Sequence, residues 1–359
     1  MIFRLLFFIL LCQSCTMLGY LTEQGMGWSK VQWSAKPNEE YLNDPNFNED
    51  MKRKIMLVGE YKKFFYHYFG AKPTNIYTKT TILPDKAVTY LVIASSHTKI
   101  EAEEYKFPLL GSFPYLGFYS KDSARKFAKE LVKEKDLVTY IRPVYAYSTL
   151  GYFEDRILSS FFHYDDVELA ELVFHELFHT VFFIKDEVEL NENLANLFGK
   201  ALLQEYFKGR PELATYLETE KKKADLNNRV VDLIGILKTE FAKLGGFITN
   251  EKADVLTQRF VEEVFKPEIV AYCKKVGLPD DECEVKDEWN QASFAAFLTY
   301  EEEQDFLEKL QSQNNFDLKQ YLAWLRMEYK KFGKQKKVES FTDYLKLKVP
   351  NAKASIAAD

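Results

Sequence analysis

A helix that is apolar on nearly every side has to be buried, and residues 167–200, VELAELVFHELFHTVFFIKDEVELNENLANLFGK, begin with such a helix. Val167, Leu169, Ala170, Leu172, Val173, Phe174, Leu177, Phe178, Val181, Phe182 and Phe183 leave it no water-facing stripe, so the rest of the fold must close around a helix predicted over 166–183. Its polar interior is then the constraint. His175, Glu176 and His179 form a His-Glu-x-x-His pattern, and positions four apart lie about 40° apart on one helix face, so both imidazoles can reach one ion. Glu176 points about 60° away from His179, close enough to act on a water held there. Burying two imidazoles and a carboxylate is costly unless they are hydrogen-bonded or metal-bound, and coordination satisfies all three. The plainer alternative is two core histidines held by carbonyls, with Glu176 in an ion pair. The chain has five histidines (His67, His97, His163, His175 and His179), so few other imidazole sites can be assembled.

A catalytic zinc usually takes three protein ligands and keeps a fourth position open. Glu192 lies thirteen positions after His179, beyond a polar turn at 184–187 (IKDE), and Asp186 with Glu189 resembles a capping box that would start a second, antiparallel helix. On that helix Leu190, Leu194, Leu197 and Ala201 form the apolar stripe, whereas Glu192, Ala195, Asn196 and Gly199 share another face. Ala195 and Gly199 are small enough for close backbone approach, which would bring Glu192 to both histidines. The competing reading of Glu192 is an exposed acid on a surface helix. Two imidazoles and a carboxylate suit zinc best, one ion per chain, though not exclusively.

The chain is long enough, at 359 residues, for a sizeable core, and 47% hydrophobic against 28% charged residues excludes a disordered or collagenous chain. A net charge of −6 supplies no summed positive field for nucleic acid or anionic lipid, so no nucleic-acid partner is expected. Residues 1–15, MIFRLLFFILLCQSC, set Arg4 before the apolar run Leu5 to Leu11 and read as an export signal too short to span a bilayer. Ser14 before Cys15 suits lipidation at Cys15, with a plain cleaved signal as the alternative. Residues 16–50 read as a tether or surface arm. Residues 51–359 read as a single domain of α+β class, predominantly helical, with a small mixed sheet packed on the His-Glu-x-x-His helix and a helical part from about 212. Strand material is predicted at 87–96 and within 136–153, and helices at 50–70, 121–135, 187–208, 212–243, 251–275, 291–312, 316–331 and 338–347. Cys273 and Cys283 flank KKVGLPDDE, where a disulfide and a pair of buried thiols are both open.

HELFH followed by NENLAN resembles the glutamate-zincin pattern of zinc metallopeptidases. The chain is closer still to a bacterial family of predicted aminopeptidases, through Leu18-Gly19-Tyr20 after the signal cysteine, PYLGF (114–118), AYSTLGYF (146–153) and the short spacing of its His and Glu elements; WNQASFAAFLTY (289–300) is a further likeness. The resemblance implies a zincin-like catalytic core in which His175, His179 and Glu192 hold Zn2+, zinc-bound water attacks a peptide carbonyl, and Glu176 is the general base. Asn196 stands where related enzymes often carry an Asp that orients a ligand histidine. Tyr147 and Tyr152, with Tyr145 behind them, are candidate oxyanion donors, and Glu154 or Asp155 a candidate contact for a free amine. His163 and His97 are reserve ligands. The expected protein is an exported peptidase with a peptide substrate, held at the cell-envelope membrane through Cys15, of unassigned oligomeric state. Two competing readings stay open: an envelope lipoprotein that keeps the fold as a non-catalytic scaffold, and a zinc hydrolase acting on something other than peptides.

Overall fold

Apolar residues recurring every three to four positions produce helices throughout the chain, and β-branched runs before 165 add short strands, so the molecule is mainly helical with small sheets. The computed structural model describes residues 19–20, 22–107, 111–145, 155–185, 187–244, 248–279, 282–283, 288–299, 305–334, 338 and 340–348. The strands are β1 (Lys36–Pro37), β2 (Lys79–Thr81), β3 (Thr89–Ser95), β4 (Tyr105–Phe107), β5 (Gly111–Phe113), β6 (Leu116–Phe118), β7 (Val138–Val144) and β8 (Ile157–Leu158). The helices are α1 (22–33), α2 (Asn38–Asn43), α3 (Glu49–Phe69), α4 (Lys121–Lys135), α5 (Asp166–Phe178), α6 (Val188–Tyr206) and α7 (Pro211–Leu244). They continue as α8 (Asn250–Phe260), α9 (Lys266–Val276), α10 (Gln291–Thr299), α11 (Asp305–Gln313), α12 (Leu318–Phe332) and α13 (Phe341–Lys346). The chain divides into two compact units, one of Met1–Ser34, Leu83–Tyr145 and Ala214–Glu302, the other of Ala35–Ile82, Ala146–Leu213 and Glu303–Asp359.

In the first unit β3 lies between β6 and β7, antiparallel to both, with Leu91 opposite Gly117 on one side and Arg142 on the other. Helices α4 and α10 pack on this sheet, and Val92, Ala94, Ala124 and Leu131 are buried between the layers. Part of the 16–50 stretch is here an ordered helix: α1 and the turn before it pack through Tyr20, Gln24, Gly27 and Val31. Tyr20 meets Phe118 edge-on at 5.5 Å, and Gln24 Nε2 donates to the Gly117 carbonyl at 2.8 Å. The single helix predicted over 251–275 is α8 and α9 joined by a π turn at Val261–Phe265, which leaves both Phe260 and Phe265 in the core. A disulfide joins Cys273 to Cys283 beside the same core, closing the loop that follows α9.

The second unit holds α3, α5, α6 and α12 with the small mixed sheet β1-β2-β8, in which β1 is antiparallel and β8 parallel to β2. An aromatic cluster fills its interior. Tyr61 lies edge-on to both Phe174 and Tyr206, and Phe198 stacks between Phe178 (4.3 Å) and Tyr321 (5.6 Å), which fixes α6 between α5 and α12.

Candidate metal centre

Helix α5 begins with a capping box: Asp165 accepts from the Val167 and Glu168 amides at 2.8 Å, and Glu168 reaches back to the Asp165 amide. Its first turn is pinned to α3, because Asp166 pairs with Arg53 at 2.6 Å and with the buried Lys54 ammonium at 2.8 Å. The Tyr61 hydroxyl donates to the Asp166 carbonyl at 2.9 Å. The helix ends at Phe178, short of the predicted 183. Thr180 turns its hydroxyl back onto the Leu177 carbonyl at 2.7 Å, and a side chain that bonds the local backbone competes with helix continuation. His179 is therefore the C-terminal cap, still with helical φ −58° and ψ −22°, so its ring remains beside that of His175 with centroids 5.1 Å apart.

The turn into α6 is held by Asn191 rather than by a cap. Glu187 precedes the helix with no side-chain capping bond, and Asp186 lies outside the described residues. The buried Asn191 amide instead accepts from Ile184 N at 2.8 Å and donates to the carbonyls of Ile184 and Glu187 at 2.7 Å. The Glu187 carboxylate accepts from the backbone amides of Phe341 and Thr342 at the start of α13. So aligned, α6 approaches α5 at Gly199, where a Cβ would stand 3.1 Å from the His175 nitrogen and 3.3 Å from its Cα. Ala195, one turn earlier, is fully buried. Small residues on this face are thus what allows the approach, and the approach carries Glu192 to the histidines.

Glu192 Oε2 lies 3.2 Å from His175 Nε2, and Oε1 lies 3.5 Å from His179 Nε2. Ligands 2.0–2.1 Å from a tetrahedral ion stand about 3.3 Å apart, and each spacing, one on each carboxylate oxygen, is of that size. All three donor atoms fall within 4.8 Å of one another, and this is the one His/Cys/Asp/Glu group of its kind among the described residues. The residues fit a metal ion. The carboxylate pairs with both rings. Burial opposes charge on His175, but the hydrogen bond to Glu192, the Glu176 and Glu192 charges and a hydrogen bond to Asn196 outweigh it and raise its pKa. His179, with a side chain only 1% exposed, is depressed to about 4 by burial, with Glu192 offsetting part of the effect and His175 adding to it. Burial pushes Glu192 up, but the His175 hydrogen bond and both imidazole charges bring it below the ordinary carboxylate value.

Glu176 is 6% exposed and adjoins the pair from inside α5. Sequence reasoning missed a second group here, Tyr77. Tyr77 has φ 61°, a left-handed conformation rare for an aromatic residue, fixed by its amide donating to the Asp155 carbonyl at 2.8 Å and its carbonyl accepting from Asn38 at 2.9 Å. The ring meets Phe161 edge-on. Burial drives the phenol well above its usual pKa, and the charges of Glu176 and Asp155 add to the rise, which places the hydroxyl in the field of the buried glutamate. Asp155, a candidate amine contact, is itself buried. Cys15, Tyr147, Tyr152 and Glu154 lie outside the described residues. The reserve ligands are elsewhere: His163 is exposed, and His97, in the first unit, bonds Asp254 at 2.8 Å.

A helix pair that brings the ligand atoms of two imidazoles and one carboxylate within 4.8 Å of one another, beside a buried glutamate, defines a helical α+β protein with a candidate metal centre. The chain belongs to the family described as "Putative aminopeptidase", whose pattern matches residues 19–343. No curated protein and no solved structure matches it.

Proposed function

We propose that the protein is an exported, lipid-anchored zinc peptidase of aminopeptidase type, with His175, His179 and Glu192 as the zinc ligands and Glu176 as the general base. The observation that carries this reading is the pair of Nε2–Oε spacings, 3.2 and 3.5 Å, formed by a His-Glu-x-x-His helix and a glutamate on its neighbour. When bound, zinc would acidify a coordinated water and polarise the scissile carbonyl. The chain's own residues supply the rest. Glu176 follows His175 directly on α5, so its carboxylate is fixed relative to the ligands, accepts the proton during attack and returns it to the departing amine. Asn196 hydrogen-bonds the His175 ring and sets its orientation, as groups behind metal ligands commonly do. Tyr147 and Tyr152 are the proposed oxyanion donors, and export with acylation at Cys15 rests on the composition of residues 1–15.

The test is zinc per chain by elemental mass spectrometry, on protein lacking residues 1–15 beside His179→Ala and Glu192→Ala. About one zinc in the parent and none in either variant is the expected result. Hydrolysis of aminoacyl and peptide substrates by the loaded parent should then vanish in Glu176→Gln. Zinc bound with no hydrolysis of any such substrate would favour the scaffold, and no zinc after repletion would end the peptidase reading.

A further inference from the structure

The face of α1 that points away from the first unit carries the most exposed large apolar side chain in the described structure. Trp33 is 85% exposed and Met26 68% exposed. Seven residues separate them, two turns of helix, so they lie on one face about 10 Å apart. That face is opposed to the one that packs. Tyr20, Gln24, Gly27 and Val31 define the inward side through Phe118, the Gly117 carbonyl and Tyr119, and Met26 and Trp33 stand about 140° round the helix from it. Thr22, Ser29 and Lys30 complete the outward side, and Glu23 stands midway between it and the packing side with its Oε1 buried. Soluble surfaces tolerate scattered apolar residues, but a tryptophan this exposed is unusual on a packed, ordered helix.

We infer that α1 is an interfacial foot, resting in the headgroup layer of a bilayer through Trp33 and Met26. Tryptophan combines an apolar ring with one N–H donor and concentrates at that boundary, so a packed helix that turns one outward can rest there through it. Placement agrees. Cys15 precedes Thr22 by seven residues, at most about 25 Å of chain, so a lipid on Cys15 keeps α1 within reach of the surface. Among the described residues no helix is long and apolar enough to cross a membrane. The foot would orient the first unit on the bilayer, where a flexible tether alone would leave it free to tumble. The presence of the bilayer rests on the anchoring reading above, whereas the contact rests on the outward face of α1.

The experiment uses the full chain expressed with its own leader, purified from membranes and reconstituted into vesicles of phosphatidylethanolamine and phosphatidylglycerol brominated on their acyl chains. Tryptophan emission is compared with that in unbrominated vesicles, for the parent and for Trp33→Phe, and intact mass reads the modification of Cys15. The expected result is a loss of emission on bromination that disappears in Trp33→Phe, because Trp28, Trp289 and Trp324 lie off that face. Vesicle-bound protein with Trp33 emission unchanged by bromine overturns the foot, even where the mass shows lipid on Cys15. Quenching of Trp33 with no lipid on Cys15 upholds the foot and removes the anchoring reading instead.

Discussion

Replacing Gly199 by alanine tests whether close approach of two helices builds the proposed metal centre. In a helix interior the change should stabilise the protein by about 1 kcal/mol, since glycine loses more backbone entropy on folding. Here the new methyl would stand 3.1 Å from the His175 nitrogen, 3.3 Å from its Cα and 3.4 Å from the Glu171 carbonyl. Unstrained carbon contacts lie at about 3.5–4.0 Å, and these neighbours are helix backbone, which cannot turn aside as a side chain can. The helices must part by a few tenths of an ångström, against the Phe178–Phe198 stack held at 4.3 Å. Overpacking of this kind costs about 1–3 kcal/mol, which outweighs the propensity gain and leaves a net loss of about 1 kcal/mol. The same parting stretches the 3.2 and 3.5 Å spacings between Glu192 and the histidines, so zinc affinity falls about tenfold. Thermal unfolding with chelator present and a competitive zinc titration read the two effects. Gly59→Ala is the control, because that exposed α3 position has no atom within 4 Å of the added methyl and should gain stability. If Gly199→Ala stabilises as Gly59→Ala does, with zinc affinity unchanged, the close-approach argument is wrong.

Two further outcomes follow from groups around the site. His179 is depressed to about 4 in the fold from an ordinary 6.5, so the unfolded chain binds a proton there that the folded chain refuses. The metal-free protein should therefore lose about 3 kcal/mol as pH falls from 6.5 to 4. His175, raised in the fold, contributes stability that is already complete below its ordinary value and is lost only as pH rises through its folded pKa, so it does not offset that slope. Urea midpoints across this range should flatten in His179→Gln, and an unchanged slope there would show that the depression is not the cause. Tyr77→Phe keeps the buried ring and its left-handed backbone but removes the hydroxyl; kcat should fall about tenfold at unchanged KM and unchanged zinc content. Full activity in that variant would reduce Tyr77 to packing against Phe161.

What the amino-acid sequence discloses about this site is what local periodicity can carry. The burial of α5 is legible because its apolar residues recur in register, and the register survives even where the helix stops: Phe182 and Ile184 remain buried beyond Phe178. Periodicity reports which side chains face inward, and it does not report the Thr180 hydroxyl that closes the helix. Glu192 is legible through Ala195 and Gly199, since only small residues license a neighbouring backbone at that distance. Asn191 is not, because its three bonds go to main-chain atoms of Ile184 and Glu187 and any polar residue would read alike in the pattern. Tyr77 is the furthest from legibility. A left-handed backbone announces itself in sequence only when it is glycine or asparagine, and here the chain holds an aromatic residue in it by bonding its amide to Asp155, seventy-eight positions away. The proposed centre thus draws on two kinds of information: a candidate ligand set written into one helix pair, and a neighbouring tyrosine that comes from a distant segment and takes its place only once the chain has folded. The proposed ligand set tells which ion the site would suit, and Tyr77 adds a buried hydroxyl whose pKa is raised by burial and further by the charge of Glu176. The second kind is therefore where substitutions with no visible motif should alter turnover while leaving metal content intact.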